Sequence, residues 1–223
     1  MKRSLFVMVI FTAFALLSSN APALLENFDD GVADGWTPES GTTWIAEDGI
    51  YKNNAGEGYW QKSTVGWDFQ GGNISVDFSK GYYAAESGIG ILFGGDYTSS
   101  MFAAGLWKDT SGWIIGVNEY SWDGSRWQNV GGWNNQGIAA LSAGTQYALS
   151  LDVSSSAATL TLGSDSVSKS LSGIPSGNIG LYNSVSWGEF DNFSADVVPE
   201  PASFVLLGIG LAGIIGFAFK TKK

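Results

Sequence analysis

From residue 24 to residue 198 the apolar side chains recur in short alternating runs, and no stretch sustains a helical period. NISVDFS sets Ile74, Val76 and Phe78 on one face and Ser75, Asp77 and Ser79 on the other. TQYALSLDV does the same with Tyr147, Leu149, Leu151 and Val153. TWIA, GIYK, GYWQKS, GIGILFG, FAAGLW, GWIIGV, ATLTL, DSVSKSL and NIGLYN add further runs, divided by Gly, Ser, Asn and Asp. Side chains alternate across a strand, so such runs describe antiparallel strands with one buried face. About a dozen short strands in one stretch of this length predict an all-β fold, an antiparallel two-sheet β-sandwich or jelly roll. No period of 20–50 residues recurs, which argues against a propeller or solenoid.

The ends of the chain differ in kind. Lys2 and Arg3 precede an apolar run from Leu5 to Leu17, and Ala21-Pro22-Ala23 follows with small residues. That order is the pattern of a secretory signal peptide over residues 1–23, with cleavage after Ala23. Its apolar run is shorter than the roughly 20 residues that a transmembrane helix needs. At the other end, Ser203 to Phe219 carries no charge and leads into Lys220, Lys222 and Lys223. A helix over 203–219 would measure about 26 Å at about 1.5 Å per residue. With Lys220 reaching to the interface it predicts a transmembrane helix whose basic tail faces the cytoplasm. Gly208, Gly210 and Gly213 fit a GxGxxG spacing, but no βαβ unit surrounds them to make a nucleotide site. Gly208, Ala212 and Gly216 could form a small-residue packing ridge or be small residues tolerated in lipid.

Pro199-Glu200-Pro201 stands just before the span, and its two prolines keep the backbone extended. A PEP tripeptide, an apolar helix and a basic tail at the C-terminus resemble the PEP-CTERM sorting signal of Gram-negative bacteria. The resemblance covers residues 199–223. It implies export through the inner membrane, anchoring there before processing, and recognition of Pro199, Glu200 and Pro201 by an exosortase. It also implies a final place at the cell surface or in the extracellular matrix, commonly among exopolysaccharide and biofilm. The intervening domain, residues 24–198, resembles concanavalin A-like lectin/glucanase sandwiches of the laminin-G type. ENFDDGVADGW, TTWIAEDGIY and a closing GNIGLYNSVSWGEFDNFSADV carry that resemblance. It implies that the first and last strands are neighbours.

Composition then narrows the chemistry. Residues 24–198 hold six basic against twenty acidic residues, a net charge of −14. Such a surface repels phosphate backbones, so nucleic acid is not an expected partner. The chain has no cysteine and no histidine, which removes thiol nucleophiles, Ser-His-Asp catalysis and His-ligated zinc together. Glycoside hydrolysis needs only two carboxyl groups. Laminarinase-type relatives of the resembled fold place acids on one strand as Glu-x-Asp-x-x-Glu. Here Glu189-Phe190-Asp191 is followed by Asn192, Phe193 and Ser194, so the second glutamate is missing. The expectation is therefore a non-catalytic module, with a glycan-active hydrolase or lyase as the alternative.

Two groups of residues are candidate sites. Asp29, Asp30 and Asp34 near the first strand, with Asp191 and Asn192 on the last, offer oxygen donors suited to calcium. The competing reading gives these side chains to turns around Gly31 and Gly35. The segment YSWDGSRWQNVGGWNNQG, residues 120–137, sets Trp122, Trp127 and Trp133 among Arg126 and Asn134. Flat rings beside hydrogen-bonding side chains suit the faces and hydroxyls of sugars. At least one of these rings should be exposed, and Trp127 should be removable with little change in stability.

Overall fold

The computed structural model describes residues 23–53, 60–81, 86–173, 175–185 and 187–196. The expected signal peptide, the Pro199-Glu200-Pro201 motif and the apolar span lie outside these residues. Ala23 to Val197 forms a compact unit with its own core. Sixteen strands and no helix occur among the described residues. In chain order they are β1 (Ala23–Glu26), β2 (Trp36–Pro38), β3 (Trp44–Glu47), β4 (Ile50–Asn53), β5 (Gln61–Phe69), β6 (Gly72–Lys80), β7 (Gly88–Phe93) and β8 (Ser100–Lys108). They continue as β9 (Trp113–Trp122), β10 (Trp127–Val130), β11 (Asn135–Ile138), β12 (Tyr147–Val153), β13 (Ala157–Leu162), β14 (Asp165–Ser170), β15 (Gly177–Ser184) and β16 (Gly188–Asp196).

The strands make two eight-stranded sheets. The first has the order β14-β13-β12-β6-β16-β4-β3, with β1 beside β16; the second has the order β10-β9-β8-β7-β15-β5-β2, with β11 beside β9. Every ladder between named strands is antiparallel. The first and last strands pair, Ala23 opposite Asp196 and Glu26 opposite Phe193. Pairing thus begins at Ala23, the residue before the expected mature start.

The period-two runs become the sandwich core. Ile74, Val76 and Phe78 of β6 and Leu149, Leu151 and Val153 of β12 are buried, facing Ile89, Ile91, Ile115, Val117, Ile179 and Leu181 of the second sheet. In β16 the alternation breaks: Phe190 and Phe193 are both buried although three residues apart. A register shift between Asp191 and Ser194, with Asn192 at φ 49°, absorbs the extra residue. Asparagine tolerates that left-handed conformation, and the bulge returns Phe193 to the core.

The far face of the second sheet is also filled. Leu92, Tyr97, Met101, Ala103, Tyr120 and Tyr182 are buried in a smaller cluster, under Trp60, Trp107 and Trp127. Tyr182 of β15 stands opposite Gly90 of β7, Gly90 opposite Gly105 of β8, and Gly105 opposite Gly116 of β9. The Tyr182 ring lies across this row. A Cβ at Gly90 would fall 2.9 Å from Tyr182 Cε1, and one at Gly105 would fall 2.4 Å from Tyr182 Oη. These glycines therefore make room for an aromatic floor.

Candidate functional site

The sheet that carries this floor is strongly curved. Lys62 on β5 and Trp127 on β10 are five strand spacings apart, about 24 Å if the sheet were flat. Yet Lys62 Nζ lies 4.9 Å from the centre of the Trp127 ring. The outer face therefore wraps round on itself, and its two flanks meet over the aromatic floor.

Where they meet there is a cleft of about 450 Å³, lined by Glu39, Trp60, Lys62, Trp122, Arg126 and Trp127. Each wall has a local cause. Trp60 precedes β5 with φ 55°, a costly conformation for an aromatic residue. That conformation lays its ring 4.9 Å from those of both Tyr120 and Tyr182. Trp122 and Trp127 are cross-strand partners at the β9–β10 hairpin, with rings edge to face at 5.6 Å. The hairpin turn is held by Asp123, whose carboxylate accepts from the amides of Ser125 and Arg126 and from the side chains of Ser125 and Gln128. Those bonds, led by the Arg126 amide, hold the Asp123 carboxyl well below the usual range. Lys62 closes the base with a 3.0 Å ion pair to Glu39 and its cation over Trp127. Beneath, burial raises the phenols of Tyr120 and Tyr182 above the ordinary tyrosine value, while Asn129 beside Tyr120 opposes the rise.

This arrangement can do one kind of chemistry well. Trp122 is 42% exposed and Trp60 and Trp127 are half-buried, so ring surfaces are available for an apolar ligand face. The Arg126 guanidinium, 77% exposed, meets Asp123 only at 3.8 Å and keeps N–H donors for a ligand. Glu39 supplies acceptors.

The sequence-derived candidates are distributed unevenly. Trp122, Arg126 and Trp127 line the cleft. Trp133 is 66% exposed and stands outside that lining, edge-on to Tyr120 at 6.2 Å. Asn134 turns away: its amide donates to the Ser168 carbonyl of β14 at 3.0 Å, tying the two sheets together. Trp127 departs from the expected free surface ring, because it packs on the Tyr120–Tyr182 cluster under Lys62. Lys62 and Glu39 carry no signal in the sequence, and Trp60, which its strand-like run GYWQKS assigns to the core, is half-buried in the cleft wall. They come from GYWQKS and the segment after β2, far along the chain from residues 120–137.

Four of the five candidate calcium donors, Asp29, Asp30, Asp191 and Asn192, are engaged in hydrogen bonds with nearby residues. Asp30 accepts from the Val32 amide, a turn contact. Asp29 exchanges hydrogen bonds with Asn27, and Asn192 donates to Asp77 and Asp191. Among the described residues no three acidic side chains are placed to share a metal ion. On the outer face of the first sheet, Asp77, Glu189 and Asp191 border a shallow depression of about 200 Å³. Ser79 donates to Glu189 at 2.6 Å. Burial raises the Asp191 carboxyl above its usual value, the Asn192 amide opposes this, and the charges of Asp77 and Asp29 add to it.

Comparison with known proteins bears on both the tail and the domain. Residues 197–223 match the PEP-CTERM protein-sorting motif, which indicates export, processing by an exosortase and sorting to the cell surface in Gram-negative bacteria. No curated protein matches the chain in sequence. Among solved structures, the fold is similar to carbohydrate binding module CBM66 from Bacillus subtilis, with a TM-score of 0.58 at 11% identity, over 72% of this chain and 95% of that one. It is also similar to the Emp46p carbohydrate recognition domain, at 0.54 and 16%, over 78% of this chain and 96% of that one. A third is a GlcNAcα1-4Gal-releasing endo-β-galactosidase from Clostridium perfringens, at 0.56 and 9%, over 80% of this chain and 63% of the enzyme. At such identities the likeness is one of fold: lectin-like β-sandwiches that include binding modules and hydrolases.

Proposed function

We propose that this protein is an exosortase-sorted surface or extracellular-matrix protein whose sandwich domain is a non-catalytic glycan-binding module. The observation that carries the reading is the cleft on the curved sheet. Three tryptophans and two cations converge there from both flanks of the sheet, over a floor that the row of glycines makes possible. Tryptophan faces cover the apolar faces of pyranoses, and Arg126 and Glu39 offer donors and acceptors to the hydroxyls. The lectin-like fold and the sorting motif support it: a protein sorted to the cell surface is placed where glycan is.

A glycan array probed with the purified protein, alongside a reducing-sugar assay on every polysaccharide bound, tests this. Binding without new reducing ends is the expected result. A second reading, a glycan-active enzyme, draws on Asp77, Glu189 and Asp191, since two carboxyl groups suffice and a raised one can act as the acid. Release of reducing ends that disappears in Glu189→Gln would favour it over the binding module.

A further inference from the structure

The cleft does not end at Lys62. Across the Lys62–Glu39 ion pair lies a second depression of about 210 Å³, which shares both residues with the first. Its walls bring hydrogen-bonding side chains, Thr37 of β2, Thr64 of β5, Asn178 of β15, and Asp96 and Thr98 of the turn before β8, beside Pro38 and Tyr97. Asp96 is committed to that turn, accepting from the amides of Thr98, Ser99 and Ser100. The side chains of Thr37, Thr64, Thr98 and Asn178 make no protein hydrogen bond among the described residues and keep their donors and acceptors for a ligand. One compartment thus offers ring faces and the next offers hydrogen bonds, with the ion pair as the saddle between them.

Charge narrows the ligand. Lys62 is neutralised by Glu39, and Arg126 has Asp123 beside it. Asp96 adds a carboxylate at the far end, within a domain of net charge −14. A uronate or sulfated chain laid along this path would meet like charge at the Asp96 end and in the field of the domain as a whole.

We infer that one uncharged polysaccharide chain runs through both compartments, so that the site reads an internal stretch of the polymer and not a chain end. This rests on the glycan-binding reading and adds length, path and charge to it. The strand order supports the path: Thr37 and Thr64 are register partners on neighbouring strands, and Lys62 lies two residues before Thr64 on the same face of β5. Saddle and polar floor are therefore parts of one rigid surface.

The test uses the purified chain in a sugar-free detergent. Affinity electrophoresis is run in gels containing laminarin, xyloglucan, galactomannan, dextran or polygalacturonate. Titration follows with the disaccharide, tetrasaccharide and hexasaccharide of whichever neutral polymer retards the protein. The expected result is retardation by a neutral polymer and a hexasaccharide bound at least about tenfold more tightly than the disaccharide, which is about 1.4 kcal/mol. Thr64→Phe fills the second compartment and should erase that gain while leaving disaccharide binding intact. Thr98→Tyr, in an exposed turn, does the same should Thr64→Phe fail to fold. A disaccharide bound as tightly as the hexasaccharide, loss of binding on blocking chain ends, or preference for polygalacturonate would each overturn the extended neutral path and leave the glycan-binding reading standing. Absence of binding to every glycan would remove both.

Discussion

Lys80 closes β6 and points into the sandwich, fully buried. Its Nζ donates to Asn183 Oδ1 at 2.6 Å, to the Ser184 carbonyl at 3.1 Å and to the Gly88 carbonyl at 3.2 Å, so it bridges the two sheets with no carboxylate partner among the described residues. Burial pulls its pKa down to about 7. Unfolded, the group keeps its proton to about pH 10.4. Between those values the unfolded chain binds more protons than the native one, so stability rises with pH, by about 1.4 kcal/mol per unit where the difference is complete. From pH 6 to pH 9 the upper limit is about 2.7 kcal/mol, covering the two units above pH 7. Three charge-assisted hydrogen bonds match the three donors of an ammonium and oppose the shift, which brings the expected rise to about 1–2 kcal/mol. The window is unusually clean. The chain has no histidine and no cysteine, Tyr51 is pushed up to about 12 by burial against a hydrogen bond with Ser63, and carboxylates titrate lower. Urea unfolding followed by tryptophan fluorescence at pH 6, 7, 8 and 9 measures the slope. Lys80→Met keeps an unbranched stem and removes the charge, so its stability should be flat across the series. A flat wild-type profile, or the same slope in the variant, would refute the argument and show that the three acceptors hold the ammonium at no net penalty.

The tryptophans should separate into ligand and packing roles. Trp122→Ala should abolish retardation in polysaccharide gels while changing stability by less than about 0.5 kcal/mol, as for a surface site. Trp127→Ala should lose binding and also about 2 kcal/mol, between a surface change and the roughly 3–5 of a buried aromatic; chemical denaturation of both variants checks the contrast. Asp96 is held far below the usual carboxylate range, first by the Ser99 amide, so its contribution is present above the unfolded value near pH 4 and lost as pH falls through the folded value. Asp96→Asn should therefore weaken the protein at neutral pH and flatten its stability profile below pH 4, measured by acid titration of fluorescence. Replacing Pro199, Glu200 and Pro201 with alanine should leave the unprocessed chain in the inner-membrane fraction of a host with an intact exosortase; unchanged release on immunoblots of the fractions would count against sorting through that tripeptide.

Strands of the first sheet were legible because β6, β12 and β13 carry their burial in their own alternation, whereas β7 is buried on both faces. NISVDFS and TQYALSLDV needed no information from elsewhere in the chain. The bulge in β16 is a different case. EFDNFSA breaks the period by one residue, and only the pairing with β6 shows that Asp191-Asn192 absorbs the slip. Asp30 was ambiguous for a chemical reason: the oxygens that could hold calcium are the ones that accept from turn amides. The local contact with Val32 forms without bringing distant strands together, and it prevails. Lys80 was invisible as a feature, because a lysine at the end of a strand reads as a solvated charge until the opposing sheet supplies its acceptors.

The cleft was half legible, and the missing half shows what local reading leaves out. Residues 120–137 announced a hairpin bearing tryptophans, and the hairpin is there. The opposite wall, Trp60 and Lys62, lies about sixty residues earlier and joins it only through curvature. The floor between the two walls uses Gly90 and Gly105, which sit in GIGILFG and FAAGLW as the small members of alternating runs. Read along the chain they are weak strand residues. Read across the register, they line up opposite Tyr182 and let its ring lie flat against the sheet. A side chain at either position would meet both the Tyr182 ring and the backbone of the neighbouring strand, and so would disturb the floor against which Trp60 packs. The floor, the strained Trp60 and the Lys62 contact are thus one device. Its parts are spread over five strands, β5, β7, β8, β10 and β15, so only the cross-strand register brings them together.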